Sequence, residues 1–224
     1  MTRQQATRRK RANGVESRQR ILDAAAAISG ERGYEGTSIA AVSAHCGLPA
    51  SSIYWHFKDK DDLIAAVIER SFATWPAAVE LPGEETDTSL DRARVMAANV
   101  ATSLVEAPDF LRLGLVLALE RRPTESRGRT AFLQLRAIAR TKIAEMLRVL
   151  VPNLAEGAAE ILADYAVAGA DGLFIQREID NDAVDLVAMF ELHAQSVFEA
   201  VIRMAARKAG RASRSDSARK PQCC

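Results

Sequence analysis

The residues best suited to chemistry in this sequence lie between Thr37 and Lys60, in the stretch TSIAAVSAHCGLPASSIYWHFKDK. Many of its polar side chains are short hydroxyls or flat rings, which can reach the phosphates and base edges of a nucleic acid. The chain has no glycine-rich phosphate loop, no nucleophile elbow and no Cys/His spacing typical of zinc. The sequence therefore predicts a binding surface and supports no catalytic residue, metal or cofactor.

Two short helices joined by a glycine turn must position these side chains. Ile39, Val42 and Cys46 recur at spacings of three and four, which places them on one face of the first helix. Gly47 ends that helix, because glycine tolerates the left-handed conformation. A second helix follows over residues 50–57, with an inward face. This layout is that of a helix-turn-helix.

A family resemblance rests on this stretch and its flanks. Residues 53–63, IYWHFKDKDDL, resemble the end of the recognition helix and the start of the next helix in the TetR/AcrR family of bacterial repressors. The similarity covers about residues 15–75, and Trp55 is shared with the multidrug-efflux repressor branch. Further matching positions are Arg18, Gly33, Tyr34, Ser38 and Gly47. The rest of the chain matches no quotable motif.

The resemblance implies a ligand-responsive, homodimeric repressor on a double-stranded DNA operator. It implies an all-α fold, with an N-terminal three-helix head and a C-terminal helical domain for ligand binding and dimerisation. A small apolar or amphipathic effector would release the repressor from a palindromic operator. A constitutive or architectural DNA-binding protein without an effector is the alternative, and a helical enzyme that carries such a head is a more distant one.

The family's DNA contacts can be carried over position by position. Phosphate contacts are implied for Tyr54, His56 and Lys60, and for Thr37 or Ser38 at the start of the preceding helix. Base-reading contacts are implied for Pro49, Ala50, Ser51, Ser52 and Trp55. Packing inside the head is the other interpretation of the two aromatic residues, and a capping or core role is the other one for the histidine.

This chain departs from the family pattern in its charge. The family usually has glycine where Ser51 stands, and often a basic or polar residue where Ala50 stands. No Lys or Arg occurs between Thr37 and Phe57. Bidentate arginine–guanine contacts are therefore not available from this helix, and specificity is expected to depend on hydroxyls, apolar contacts and DNA shape.

Nine helices are expected along the chain, because apolar residues recur at helical spacing between caps, glycines and prolines. Their approximate ranges are 17–32, 37–46, 50–57, 59–75, 88–106, 108–122, 124–150, 153–179 and 181–207. Thr37, Asp59, Asn153 and Asn181 are the expected N-caps. The predicted domains are a disordered basic arm at 1–14, a DNA-binding head at 15–75, a helical domain at 76–209 and a disordered basic tail at 210–224.

Charge is distributed unevenly although the net charge is only +1. Residues 1–20 contain seven basic side chains and one acidic, and residues 203–224 contain the same numbers. A basic arm beside a helix-turn-helix is a typical footprint for DNA phosphates, while a solvated tail that attracts DNA non-specifically is the alternative. No apolar run approaches the ~20 residues that span a bilayer, and a reducing cytoplasm is the expected location.

The C-terminal domain offers weaker predictions. By their positions in the family's helices, the candidate effector-pocket residues are Trp75, Met96, Phe110, Leu113, Leu117, Phe132, Tyr165, Asp171 and Phe174, and ordinary core packing is the alternative for each. Asp171 could orient a ligand or pair across a dimer. A wide apolar face on the last two helices indicates a two-fold interface of four helices, or a larger core within one chain. Its candidate residues are Gly169, Gly172, Leu186, Phe190, Val197 and Val201.

Overall fold

The computed structural model describes residues 3–73, 75–83, 88–120, 125–180 and 183–217, with side chains described between positions 13 and 206. These residues form ten α-helices and no strand, which confirms the all-α prediction. The helices are α1 Arg3–Gly36, α2 Ile39–Cys46, α3 Ala50–His56, α4 Lys60–Phe72, α5 Trp75–Ala78, α6 Ser89–Glu106, α7 Asp109–Leu119, α8 Arg127–Leu150, α9 Ala158–Ile179 and α10 Leu186–Ser217. None of these helices is both long and apolar enough to cross a membrane.

The first helix is much longer than predicted. It begins at Arg3, so the segment expected to be a disordered arm is helical from its third residue. The reason is local, because residues 3–13 are mostly good helix formers and contain neither proline nor glycine. Gly33 interrupts the helix with a φ of 67°, as the sequence predicts.

The three helices that follow begin and end largely as their sequences indicate. Ser38 caps α2, since its side chain accepts a hydrogen bond from the Ala41 N–H, and Gly47 ends α2 with a left-handed φ of 66°. The prediction of Thr37 as the cap is therefore wrong by one residue. Asp59 caps α4 as predicted and accepts from the Asp62 N–H at 2.8 Å.

Later boundaries differ from the predictions at several points. α4 ends at Phe72, and Trp75 begins the separate short helix α5. Gly157, not Asn153, precedes α9 and has a φ of 75°. The predicted cap Asn181 lies outside the described residues, as do the cysteines at 223 and 224. α10 continues to Ser217, so the first part of the tail predicted to be disordered is helical.

The chain divides into two compact units. The first contains residues 1–74 and 107–135, and the second contains residues 75–106 and 136–224. Residues 107–135 were predicted to belong to the C-terminal domain, but α7 packs on α1 and α4. The core of this unit includes a run of aromatic rings, with 4.8 Å between the centroids of Phe72 and Phe110 and 5.1 Å between those of Phe110 and Phe132.

The second unit is built around α10, which packs against both α6 and α9. Gly169 of α9 allows a close approach, because a Cβ there would lie 2.2 Å from the His193 ring. The Nε2 atom of the His193 ring lies 2.9 Å from the Ala166 carbonyl oxygen. Arg136 of α8 forms two hydrogen bonds with the Asp171 carboxylate, one of them 2.8 Å long.

Candidate nucleic-acid interface

Helix α3 presents one buried face and one exposed face. Ile53 and Phe57 are buried and fix the helix on the head. On the opposite face, Tyr54 is 56% exposed and Trp55 is 74% exposed. Large aromatic side chains at this exposure do not pack inside the head, so the structure favours the contact interpretation of both residues over the packing one.

The short residues at the start of α3 are also accessible. Pro49 precedes the helix in an extended conformation, with no side-chain cap. Pro49 and Ser51 are exposed, whereas Ala50 and Ser52 are half-buried. The hydroxyl of Ser51 is therefore free to approach a base edge, while Ser52 offers a smaller accessible surface.

Only one of the two hydroxyls at the start of α2 is available for a ligand. Thr37 is 1% exposed, and its Oγ1 donates to the Gly33 carbonyl at 2.8 Å. Ser38 is exposed and already accepts from the Ala41 N–H at 3.1 Å. Because the Thr37 hydroxyl closes the turn after Gly33, the Ser38 hydroxyl is the better placed of the two for the predicted phosphate contact, which stays a prediction.

Lys60 has intramolecular partners in addition to its predicted phosphate role. Its Nζ donates to the Tyr34 carbonyl at 3.2 Å and lies 4.0 Å from the centroid of the Tyr34 ring. Glu35 Oε2 is 3.8 Å away. The ammonium group is thus held at the junction of α1 and α4, and a phosphate contact has to be made from that position.

His56 lies at the end of α3 beside a small polar cavity. Its ring meets that of Trp55 edge to face at a centroid distance of 4.5 Å. Partial burial lowers the pKa of His56 below its ordinary value of 6.5, and the Arg18 guanidinium lowers it further. The imidazole is therefore mainly neutral at pH 7. The cavity has a volume of about 180 Å³, and its lining includes Arg18, Asp62, Glu69 and Arg127.

Two charged contacts that support the head were not found from the sequence. Arg20 Nη2 donates to the Cys46 carbonyl at 2.6 Å and so completes the end of α2. Arg127 Nη1 lies 2.6 Å from Asp62 Oδ1, while Asp62 Oδ2 accepts from the Lys58 N–H at 2.9 Å. Both contacts join residues far apart in sequence, so no local pattern indicates them.

The predicted effector-pocket residues are divided between the two units. Four are buried in the first unit and contribute to its core: Phe110, Leu113, Leu117 and Phe132. Trp75, Met96 and Phe174 are buried in the second unit. Asp171 is paired with Arg136 of the same chain, and Tyr165 is exposed. The pocket roles of these residues stay predictions.

The predicted dimer residues on α10 are buried in the chain's own core. These are Leu186, Phe190, Val197 and Val201. Gly169 is used for the contact with His193, whereas Gly172 is exposed with nothing near its absent Cβ. The sequence of α10 has two apolar faces. Packing against α6 and α9 buries the face that carries these four residues.

A different apolar face is exposed, and it lies on α9. Its residues are Ile161, Tyr165, Ala168, Gly172, Ile175 and Ile179. They follow spacings of four and three alternately, which keeps them on one side of the helix. The spacing was visible in the sequence, but only the structure shows that this face is exposed, with the His193 ring beside Tyr165 at a centroid distance of 6.0 Å. We call these six residues the α9 stripe.

The fold and the exposed α3 surface define a helix-turn-helix head in the first unit and a helical second unit. Residues 21–67 match the family model described as "Bacterial regulatory proteins, tetR family". The head of the chain is thus similar to the DNA-binding domain of TetR/AcrR-family regulators.

Similar proteins support this assignment. The HTH-type transcriptional regulator AcrR of Shigella flexneri is 38% identical over 64 residues, which are 29% of this chain and 30% of that protein. The match thus spans about a third of the length of the curated relatives. SmeT, the repressor of the Stenotrophomonas maltophilia multidrug efflux pump SmeDEF, is 23% identical, with a TM-score of 0.62 over 82% of this chain and 89% of SmeT. FadR of Bacillus subtilis, in complex with stearoyl-CoA, is 17% identical, with a TM-score of 0.65 over 80% of this chain and 96% of FadR.

Proposed function

We propose that this protein is a homodimeric transcriptional repressor that binds a palindromic DNA operator and is released by a small apolar or amphipathic effector. The observation that carries the proposal is the surface of α3. Tyr54, Trp55 and Ser51 are exposed there, while Ile53 and Phe57 hold the helix from behind. Such an arrangement fits insertion of the helix into a major groove.

The chemistry of this surface favours readout without charged side chains. α3 itself offers hydroxyls, a phenol and an indole, and its only basic side chain is a histidine with a lowered pKa. Hydroxyls can bond to several base edges, and apolar groups can contact thymine methyls. Sequence preference is therefore expected to be strongest where these groups meet bases, with DNA shape adding to it.

A dimer is supported by the α9 stripe. Four of its six residues are large and apolar, at the two ends of the stripe, and two are small, at its centre. Exposed apolar patches of this kind mark interaction sites on soluble proteins. Small central residues allow two helices to approach closely where they cross.

The stripe is also symmetric about residue 170, which fits a two-fold axis. Positions 161 and 179 are both Ile, positions 165 and 175 are both large, and positions 168 and 172 are Ala and Gly. In a two-fold interface residue i meets residue j of the partner and the reverse also holds. An antiparallel α9–α9 contact centred at residue 170 would thus pair large with large and small with small.

The effector and the repressor role have more limited support. SmeT is a repressor of an efflux pump and FadR was solved with stearoyl-CoA, which is amphipathic. Both proteins share the fold with this chain at low identity. An effector can release DNA only if it binds the two DNA-binding arrangements with different affinity.

A selection of genomic fragments with the purified full chain at fixed salt tests the proposal. A single enriched palindrome with half-sites spaced by one helical turn, about 34–36 Å, is expected. Tyr54→Ala and Trp55→Ala should weaken binding to it, and Lys60→Ala should do so if the ammonium contacts a phosphate. Ser51→Ala should change the preferred sequence. Salt-sensitive binding without an enriched site would instead indicate an architectural DNA-binding protein.

The effector is tested on the enriched fragment. Operator affinity is measured with and without saturating stearoyl-CoA, and in parallel with apolar cationic dyes. Release by one of these compounds is expected, with recovery when the compound is removed. Unchanged affinity together with direct binding of the compound would contradict effector control.

A further inference from the structure

The turn between α3 and α4 is held by hydrogen bonds that converge on Asp62. The Asp62 N–H donates to the Asp59 carboxylate at 2.8 Å, and Asp62 Oδ2 accepts from the Lys58 N–H at 2.9 Å. Such reciprocal bonds fix the path by which the chain enters a helix. The predicted phosphate contacts His56 and Lys60 lie on either side of this turn. The conformation of the turn therefore determines how these two side chains are placed relative to each other.

The other oxygen of the Asp62 carboxylate is bound from outside the helix-turn-helix. Arg127 Nη1, at the start of α8, lies 2.6 Å from Asp62 Oδ1. The Asp62 side chain is only 20% exposed, whereas the Arg127 side chain is 64% exposed. Both residues also line the small polar cavity beside His56. A single carboxylate thus joins the first turn of α8 to the turn that follows α3.

The start of α8 is built to keep Arg127 in this place. Ser126 is buried and its Oγ accepts from the Arg129 N–H at 3.1 Å, which caps the helix. Gly128 allows a close approach, because a Cβ there would lie 2.8 Å from a side-chain carbon of α7 and 3.6 Å from one of α4. A positive charge at the N-terminus of a helix is unfavourable for the helix itself. The position of Arg127 is therefore explained by its contact with Asp62 and not by the stability of α8.

We infer that Arg127 is a positioning residue for DNA binding, which acts through Asp62 on the turn between α3 and α4. The guanidinium holds the Asp62 carboxylate in the orientation that accepts from the Lys58 N–H. Without the guanidinium, the carboxylate is free to turn toward water, and the turn loses one of its restraints. The inference rests on the proposed function, because it concerns how α3 and the residues after it are presented to the operator.

A direct contact between Arg127 and a DNA phosphate is the alternative, and one substitution distinguishes the two roles by the sign of its effect. Asp62→Asn removes a negative charge and keeps an oxygen that can accept from the Lys58 N–H. If Arg127 binds a phosphate, its release from Asp62 should tighten operator binding. If Arg127 positions the turn, Asp62→Asn should weaken operator binding, as Arg127→Gln does.

The measurement is the affinity of the full chain for the enriched operator fragment at physiological ionic strength. A surface ion pair lost at both half-sites corresponds to a roughly 2- to 30-fold rise in Kd, which is expected for Arg127→Gln and for Asp62→Asn. The variant with both substitutions should bind no more weakly than the weaker single variant, because the second substitution removes a contact that is already lost.

The matched control is Arg129→Gln. It removes the same charge from the same turn of α8, where Arg129 pairs with Glu125 and not with α4. Operator affinity should stay close to that of the wild type, since distant surface charges are largely screened at this ionic strength. The midpoint of urea unfolding is measured for every variant and should stay close to that of the wild type.

Exchange of the Lys58 amide hydrogen, followed by NMR in the free protein, is a second readout that needs no DNA. It should be faster in Arg127→Gln than in the wild type and unchanged in Arg129→Gln. Unchanged exchange in Arg127→Gln would refute the inference whatever the DNA result.

The remaining outcomes separate this inference from the proposed function. Tighter operator binding by Asp62→Asn would assign Arg127 a direct phosphate contact and overturn the positioning role. Wild-type affinity in Arg127→Gln, or equal losses in Arg127→Gln and Arg129→Gln, would also overturn it while the proposed function remains. A loss of affinity that accompanies a lowered unfolding midpoint would make Arg127 a general stabilising residue and overturn the inference. A wild-type chain that binds no operator would refute the proposed function, and the role of Arg127 in DNA binding with it.

Discussion

Exchange of charges at the two ends of the α9 stripe tests the register of the proposed dimer. If the two-fold axis passes near residue 170, Ile161 of one protomer meets position 179 of the other. Ile161→Lys and Ile179→Glu are made singly and together. Each single variant places a charge against an isoleucine at two places in the dimer. The double variant places Lys opposite Glu at both.

The expected magnitude follows from the exposure of the two isoleucines. Ile161 is 64% exposed and Ile179 is 65% exposed in the single chain. Full burial of an isoleucine stabilises by about 1.5–3 kcal/mol, so two-thirds of it contributes about 1–2 kcal/mol per site. With two equivalent sites in a dimer, each single variant should raise the dimer Kd by roughly 30- to 1000-fold.

The double variant should dimerise more tightly than the summed effects of the two single variants predict. A charge pair at the rim contributes about 0.2–1 kcal/mol, and two such pairs should tighten the dimer by roughly 2- to 30-fold relative to additivity. The matched control is Ile161→Lys with Ile179→Lys, which opposes like charges and should be worse than additive. Ile179→Lys is made as well, so that both double variants can be compared with their single variants. Sedimentation equilibrium at low ionic strength gives the six dissociation constants, wild type included.

Two results would refute this reasoning. A double Lys/Glu variant that is strictly additive would show that positions 161 and 179 do not meet across the axis. Single variants that leave the dimer Kd unchanged would show that the α9 stripe is not the interface. In the second case the stripe remains an exposed apolar face whose partner is another molecule.

Three further changes test the described head and the core beneath it. Gly114→Ala places a Cβ 2.1 Å from a carbon of the Phe132 ring. The resulting overpacking should cost about 1–3 kcal/mol and exceed the gain in helix propensity of about 1 kcal/mol. Urea unfolding should therefore show a net loss of stability, and a more stable variant would contradict the packing. Thr37→Val removes the hydrogen bond to the Gly33 carbonyl, so the free energy of unfolding should fall by about 1 kcal/mol while operator affinity stays unchanged. A loss of operator affinity at equal stability would instead assign a phosphate contact to the Thr37 hydroxyl. Burial and Arg18 lower the pKa of His56, so its imidazole is mainly neutral in the free protein. A DNA phosphate beside it should stabilise the protonated form, so operator affinity should rise as the pH falls below neutrality. The rise should be absent in His56→Gln, and an equal rise in both proteins would assign it to other groups.

The local structure of the head was predictable because short-range interactions decide it. Gly47 ends α2 and Asp59 caps α4 through contacts within four residues, and both are visible in the sequence. Ile53 and Phe57 were expected to be buried from their spacing, and they are. Thr37 was predicted as the cap of α2 and Ser38 is the cap, because either hydroxyl suits the position as far as the local sequence shows. The turn after Gly33 uses the Thr37 hydroxyl, which leaves the Ser38 hydroxyl to cap α2.

The sequence by itself determined the helical class, the helix-turn-helix and the asymmetry of charge, because periodicity and capping act locally. Only the tertiary structure decided which apolar faces remain exposed. α10 has apolar residues on more than one side, and periodicity cannot tell which side its neighbours cover. Packing against α6 and α9 buries Phe190 and Val201, whereas the large residues of the α9 stripe stay 40–65% exposed.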